Sequence, residues 1–385
     1  MLMKISIAII ENNILATNTI RGKLTQTLID RGYEVVILTT GEPPELAVAR
    51  AKGFHIIDVK GSNRNPKDIS TYVLNLQKSL KRIRPDVVLT FTIRPAIWGN
   101  IVTRQLAIPT ITNITGIGPL FDSDKLTYKA ARGLYKFVLK KTAKVFFQNY
   151  DDMNLFVSKR FVKAEKAERI PGSGVDHEYY MPVKKEKNNI FSFLFISRLI
   201  KDKGILEYIE AARLLKPEMP EVVFQVLGPY WSQNLKENII TKGDVEKWVE
   251  EGVIDYKGAA DDVRNYIAEA DCIVLPSWRE GTSNVLLEAA SMEKPAITCN
   301  TTGCNEIVED NVTGYLVEVK NARDLADKMR RMYHLTDEER MQMGVKARLR
   351  VIKYFDKQIV IDAYLKAIEN IVNVNKITPV KPHHP

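Results

Sequence analysis

Long hydrophobic runs are missing from this chain: no stretch of 18 apolar residues occurs in its 385 positions, so no segment matches a membrane-spanning helix. Cysteine is scarce. Cys272, Cys299 and Cys304 are too few for a disulfide framework and have no His or Cys at zinc-ligand spacing, which points to a reducing cytoplasm. In that setting the sequon matches Asn113-Ile114-Thr115 and Asn311-Val312-Thr313 are idle. The fingerprint G-x-G-x-x-G does not follow the first apolar run. Glu11-Asn12-Asn13-Ile14-Leu15-Ala16-Thr17 fills that turn instead, which argues against a dinucleotide cofactor there. Internal repeats and low-complexity segments are lacking too. The opening Met1-Leu2-Met3-Lys4-Ile5-Ser6-Ile7-Ala8-Ile9-Ile10 has neither a basic leader nor a small-residue cleavage site, and reads as a first strand.

What remains is the composition of a mixed globular enzyme, 45% apolar and 27% charged. The length suits two domains, each able to bury its own interior. The net charge of +9 is unevenly placed: residues 1–170 hold 27 Lys and Arg against 14 Asp and Glu, an excess of 13 that leaves the remainder at −4. This asymmetry directs the first half toward an anionic partner, whether a membrane surface, a phosphorylated acceptor or nucleic acid.

Short apolar runs alternate with amphipathic stretches at helical period, the pattern of doubly wound α/β domains. Expected strands in the first half are 4–10, 34–39, 55–59, 86–90, 110–113 and 144–148, whose near-continuous apolar content marks parallel strands buried on both faces. The segment Ile170-Pro171-Gly172-Ser173-Gly174-Val175-Asp176 and the polar stretch 184–189 then break the pattern. A second series restarts at 191–196 and continues at 222–227, 254–256, 272–275 and 295–298. We therefore expect an N-terminal domain over 1–172, a second over 173–356, a helix 357–375 packing back on the first, and a disordered tail 376–385 rich in proline. Two parallel sheets of this kind bind ligands at the carboxyl ends of their strands, but the architecture alone selects no chemistry.

The chemistry-bearing residues lie mostly in the second half. Glu280-Gly281-Thr282-Ser283-Asn284-Val285-Leu286-Leu287-Glu288 follows an apolar run and carries two carboxylates around a helix start. Ser283 or Asn284 caps a helix whose N–H groups and dipole attract a diphosphate, while Leu286, Leu287 and Ala289 begin its buried face. From Ser283 to Glu288 the helix rises roughly 7.5 Å, about the span between a hexose and a ribose flanking a diphosphate. Alone, this spacing equally describes a helix with one capping and one surface Glu. Ser197-Arg198-Leu199-Ile200-Lys201-Asp202-Lys203-Gly204 leaves an earlier strand end, where Arg198 and Lys203 offer a guanidinium fork and a compact ammonium to phosphates. A further strand-loop-helix mouth runs from Thr301-Thr302-Gly303-Cys304 to Thr313-Gly314-Tyr315-Leu316-Val317.

Together with Gly174-Val175-Asp176, Tyr256-Lys257-Gly258, Ala270-Asp271 and Leu275-Pro276-Ser277, these segments resemble the retaining glycosyltransferases of family 4, over nearly the whole chain. The resemblance implies an α/β protein of GT-B architecture, two Rossmann-like βαβ domains facing across a cleft. It implies transfer of a hexose or N-acetylhexosamine from a nucleotide sugar, expected to be a UDP-sugar. Through Glu280-Gly281-Thr282-Ser283-Asn284 and Asn113-Ile114-Thr115-Gly116-Ile117-Gly118 the chain looks most like enzymes acting on polyprenyl-diphosphate-linked glycans in bacterial surface polysaccharide, lipopolysaccharide or glycoprotein assembly.

Carried over position by position, the resemblance gives Arg198 and Lys203 to the donor diphosphate, Glu288 to the ribose and Glu280 to the donor sugar. It gives backbone groups near Gly258 to the base, and the amides of Thr282, Ser283 and Asn284 to the phosphate and sugar. No cofactor or metal is expected, since two cations already neutralise the leaving group; Asp122-Ser123-Asp124 has D-x-D form but lies in a polar loop.

The first half departs from the family, having no glycine in its first turn and Ile93-Arg94-Pro95 where a His is usual. Arg94 is either a contact to acceptor or donor oxygens or a surface arginine, and Gly116 and Gly118 are read as shaping the acceptor mouth. Residues 125–144 contain no acid, and Lys125, Lys129, Arg132, Lys136 and Lys140 recur at helical spacing beside Leu134, Phe137, Val138 and Leu139, with Tyr128 and Tyr135 as interfacial anchors. This describes either a helix lying on the anionic cytoplasmic face of the inner membrane or a solvated helix covering the sheet. The competing functions are a sugar-nucleotide epimerase on the same frame and, from another class, a basic lipid- or nucleic-acid-binding module. Nucleic acid is not expected as a partner, because the aromatics are not interleaved with the basic residues.

Overall fold

A computed structural model of the chain describes residues 4–61, 66–117, 121, 126–185, 190–231 and 238–377. The chain divides into one unit of residues 1–173 and 358–385 and a second of 174–357.

The first unit is built on seven parallel strands: β1 (Ser6–Ile10), β2 (Glu34–Thr39), β3 (His55–Asp58), β4 (Val87–Phe91), β5 (Thr110–Ile114), β6 (Lys144–Phe147) and β7 (Ala167–Arg169). Their spatial order is β3-β2-β1-β4-β5-β6-β7. Alternate residues of β1 explain the unbroken apolar run. Ile7 and Ile9 pack with Ile361, Tyr364 and Ile368 of the C-terminal helix Lys357–Ile377, while Ala8 and Ile10 pack with Tyr72, Leu76 and Leu80 of the helix Pro66–Ile83. With both faces covered, each fully buried aliphatic or aromatic side chain contributes roughly 1.5–3 kcal/mol. Asn113 of β5 is 3% exposed and donates to the Tyr364 hydroxyl at 2.7 Å, so its sequon has no accessible amide. The C-terminal helix extends through Ile377, beyond the expected start of the tail; residues 378–385 lie outside the described residues.

The second unit has β8 (Ser192–Ile196), β9 (Val223–Leu227), β10 (Asp255–Tyr256), β11 (Cys272–Leu275), β12 (Ala296–Cys299) and β13 (Gly314–Val317), all parallel, in the order β10-β9-β8-β11-β12-β13. One apolar cluster joins this sheet to the helices Ile205–Leu215, Asn284–Ser291, Ala322–Tyr333 and Asp337–Phe355. The last of these opens on a capping box, with Glu339 N–H donating to Thr336 Oγ1 at 3.2 Å and Thr336 N–H to Glu339 Oε2 at 2.7 Å. All three cysteines are buried and free, and burial pushes their thiols up, which keeps them protonated and inert. Among the described residues no helix is long and apolar enough to cross a membrane.

Candidate active site

In the second unit the loops that leave β8 to β12 are stitched together along one edge of the sheet. Ser197 N–H donates to Leu227 O at 3.1 Å, Leu199 N–H to Pro229 O at 3.0 Å, and Gly228 N–H to Gly258 O at 2.7 Å. Gly228 permits this approach, because a Cβ there would lie 1.7 Å from Ser197 O. The turn Lys201–Lys203 is tied to the segment after β11 by Trp278 N–H and Ser277 Oγ, which both donate to Asp202 O, at 2.9 and 3.2 Å. Gly204 closes that turn with φ +76°, and a Cβ there would sit 2.0 Å from Pro276 O. The segment after β11 is in turn held to the one after β12, through Glu280 N–H to Thr302 O at 3.1 Å and Ser283 N–H to Gly303 O at 3.0 Å.

This stitching brings Arg198, Lys203, Glu280 and the start of the helix Asn284–Ser291 onto one edge. Lys203 Nζ donates to Glu280 Oε1, and both side chains are 14% exposed. The pair links the residue read as a phosphate ligand to the one read as a sugar ligand. Arg198 is exposed, its guanidinium 4.7 Å from the ring centre of Trp231. Ser283 is the helix cap, its hydroxyl accepting from Leu286 N–H at 3.4 Å, and Leu286, Leu287 and Ala289 are buried. A helix start in this position stabilises an anion through its dipole. Gly258 has φ +75° and open space where a Cβ would be.

Glu288 is half-buried on the same helix, in the neighbourhood of Tyr180. Burial pushes its carboxyl up to about 7; the Tyr180 hydroxyl and the Lys357 ammonium oppose that rise, and Asp262 adds to it. Tyr180 and Trp231 were not among the residues expected from sequence. Trp231 carries a faint signal, an aromatic following Gly228-Pro229 at a strand end. Tyr180 carries none, because it meets Glu288 across more than a hundred positions of chain.

The first unit treats its sequence candidates differently. Arg94 is no surface residue: it is 6% exposed, its guanidinium lies 3.7 Å over the Tyr72 ring, and Nη2 donates to Gly61 O at 2.9 Å. The glycine-free first turn ends instead in a buried ion pair, Glu11 with Arg21 at 3.0 Å, and Arg21 also lies 4.3 Å over the Phe91 ring. Burial pushes the Glu11 carboxyl up to about 7. Gly116 follows β5 with φ +129°, whereas Gly118 and Asp122-Ser123-Asp124 lie outside the described residues.

The basic helix is Leu126–Leu139, which carries Lys129, Arg132 and Lys136; Lys140 follows its end and Lys125 lies outside the described residues. Its apolar stripe does not face outward. Tyr135, Val138 and Leu139 are at most 2% exposed in a core with Phe147 and Phe156, so Tyr135 cannot anchor at an interface. Period alone does not tell which side of an amphipathic helix meets a sheet. Phe137 stays 52% exposed, with Arg104 4.1 Å over its ring.

The two parallel-sheet units and this cation-rich strand edge define a GT-B glycosyltransferase. A profile described as glycosyl transferases group 1 matches residues 191–334 and one described as glycosyl transferase 4-like matches residues 13–149, and the chain belongs to this family. It is similar to an Escherichia coli UDP-Gal:alpha-D-GlcNAc-diphosphoundecaprenol alpha-1,3-galactosyltransferase, 28% identical over 75% of this chain and 76% of that protein. A Campylobacter jejuni N,N'-diacetylbacillosaminyl-diphospho-undecaprenol alpha-1,3-N-acetylgalactosaminyltransferase is 24% identical over 91% of this chain and 95% of the relative. Among solved structures, sucrose-phosphate synthase from Thermosynechococcus elongatus superposes with a TM-score of 0.80 at 16% identity, over 96% of this chain and all of that one. Anabaena HepE in complex with UDP and glucose gives a TM-score of 0.76 at 15% identity, over 94% and 99% of the two chains.

Proposed function

We propose that the chain is a retaining glycosyltransferase that moves a hexose or N-acetylhexosamine from a UDP-sugar to a polyprenyl-diphosphate-linked glycan during surface polysaccharide assembly. The observation that carries this reading is the Lys203–Glu280 pair, which places a phosphate-seeking cation and a hydroxyl-seeking carboxylate together near a helix start. Arg198, Lys203 and amides at Thr282, Ser283 and Asn284 stabilise charge growing on the departing UDP, while Glu280 holds the sugar and Glu288 the ribose. Backbone groups near Gly258 read the base. The acceptor oxygen bonds to the anomeric carbon as the carbon–phosphate-oxygen bond breaks, and the leaving phosphate takes the acceptor proton on the same face. The UDP-Gal donor of the Escherichia coli relative and the diphosphoundecaprenol-linked acceptors of both relatives support this choice of substrates.

No metal takes part in this scheme, because the cations and amides already serve the diphosphate; transfer that stops with EDTA and returns with Mg²⁺ or Mn²⁺ would contradict it. The protein acts at the cytoplasmic face of the inner membrane, where such an acceptor is anchored. Lys129, Arg132, Lys136 and Lys140 make that attachment electrostatic, since Tyr135, Val138 and Leu139 of the helix are buried. A thermal-shift series with UDP-, GDP- and ADP-sugars tests the donor: UDP-sugars should raise the melting temperature most, and stabilisation by GDP- or ADP-sugars alone would overturn the assignment.

A further inference from the structure

We propose that Trp231 is a positioning residue for the leaving group: its indole face holds the Arg198 guanidinium at the strand edge and leaves the N–H fork free for the donor diphosphate. This rests on the reading of Arg198 as a diphosphate ligand. The guanidinium carbon lies over the indole, 4.7 Å from the ring centre, inside the roughly 6 Å within which an aromatic face attracts a cation. Arg198 is exposed, and among the described residues neither a hydrogen bond nor an ion pair holds its side chain. Lys203, by contrast, is already paired with Glu280.

The backbone puts the two side chains within reach. β8 and β9 are neighbours, and their exits stay together: Ser197 N–H donates to Leu227 O at 3.1 Å, Leu199 N–H donates to Pro229 O at 3.0 Å, and Leu199 forms a parallel bridge with Tyr230. The β9 exit is also fixed to β10, with the Tyr256 hydroxyl donating to Gly228 O at 2.9 Å and the Tyr230 ring 5.7 Å from the Tyr256 ring. The half-buried Trp231 thus stands on an anchored segment, whereas the arginine it meets is exposed. A guanidinium is planar and carries its five N–H donors around its edge, so stacking its face on an indole leaves the fork available to phosphate oxygens. A carboxylate in place of the indole would orient Arg198 too, but it would cancel charge that the leaving diphosphate needs. The two cations are held in different ways: Lys203 by an ion pair that a diphosphate must break, Arg198 by an aromatic face that it need not.

The test is calorimetric titration of UDP and of uridine into the full chain, with steady-state transfer from a UDP-sugar, for wild type, Trp231→Leu, Trp231→Met, Trp231→Phe, Arg198→Ala and the double variant Arg198→Ala/Trp231→Leu. Free UDP carries the charge that develops on the leaving group, so Trp231→Leu and Trp231→Met should each weaken UDP and lower kcat by roughly 3-fold, with donor KM little changed. Uridine, which has no phosphate, should bind as it does to wild type. Trp231→Phe should recover most of the loss, because an aromatic face returns. Once Arg198 is already alanine, Trp231→Leu should cost nothing further. Undiminished UDP affinity and kcat in both non-aromatic variants, a loss that persists without Arg198, or an equal weakening of uridine would each overturn the proposal, the last by making Trp231 a platform for the base. If Arg198→Ala alone leaves UDP affinity and kcat unchanged, the diphosphate reading of Arg198 itself falls, whatever the Trp231 variants do.

Discussion

Lys203 and Glu280 are ion-paired across two loops, from the turn after β8 to the segment after β11, with each side chain 14% exposed. The family resemblance gives them separate partners, phosphate for Lys203 and sugar for Glu280. On the proposed roles, an incoming diphosphate would take up the ammonium and leave the carboxylate to the sugar hydroxyls.

Removing one partner strands a charge in a poorly hydrated place. Lys203→Ala and Glu280→Ala should each lower unfolding free energy by roughly 3 kcal/mol. Lys203→Ala should also reduce kcat about 100-fold, as loss of a donor to developing negative charge does. Chemical denaturation of both singles and the double variant measures the coupling. Additive losses would show that the pair makes no joint contribution.

Glu11 and Glu288 give the donor-free protein an inverted acid response. Each has an ordinary carboxyl value of 4.5 raised to about 7 in the fold. Between those values the native state binds more protons than the unfolded one, so these groups favour folding at low pH and that contribution is lost as pH rises through about 7. Melting temperatures of wild type, Glu11→Gln and Glu288→Gln, followed from pH 5 to 8 without nucleotide, should show a shallower decline in each variant. Superimposable profiles would refute the assignment.

Gly204 ends the Lys203 turn in a left-handed conformation, with Pro276 O 2.0 Å from where a Cβ would be. Gly204→Ala therefore should cost about 1–3 kcal/mol from backbone strain, with further loss as the turn moves away from Pro276. Because that movement carries Lys203 with it, donor KM should rise as well. A variant of unchanged stability and KM would show that the turn does not position the cation.

The sheets were legible because every central strand is a short apolar run buried on both faces. Ala167-Glu168-Arg169 was not legible as β7: it is an edge strand paired with β6 alone, and nothing in three mostly charged residues announces that. Loop chemistry was readable where neighbours in sequence act together, as in the Ser283 cap, and opaque where partners come from afar. Arg94 over Tyr72, Glu11 with Arg21 and Tyr180 with Glu288 are all of that second kind. Helical period found the basic stripe at Lys129, Arg132 and Lys136 but could not reveal that Tyr135 and Val138 face a core.

Attachment through that stripe makes a salt-sensitive prediction. On vesicles containing anionic lipid, the Lys129/Arg132/Lys136/Lys140-to-Ser variant should float less than wild type, and added salt should release the wild type, each cation contributing about 1 kcal/mol at the surface. Equal recovery of the two proteins would remove this helix from the membrane account.

The most direct test of the donor site is steady-state transfer from a UDP-sugar to a polyprenyl-diphosphate-linked acceptor by wild type, Arg198→Ala and Glu288→Ala. The account predicts a divided result, with Arg198→Ala mainly lowering kcat and Glu288→Ala mainly raising donor KM. Unaltered kinetics in both variants would contradict it.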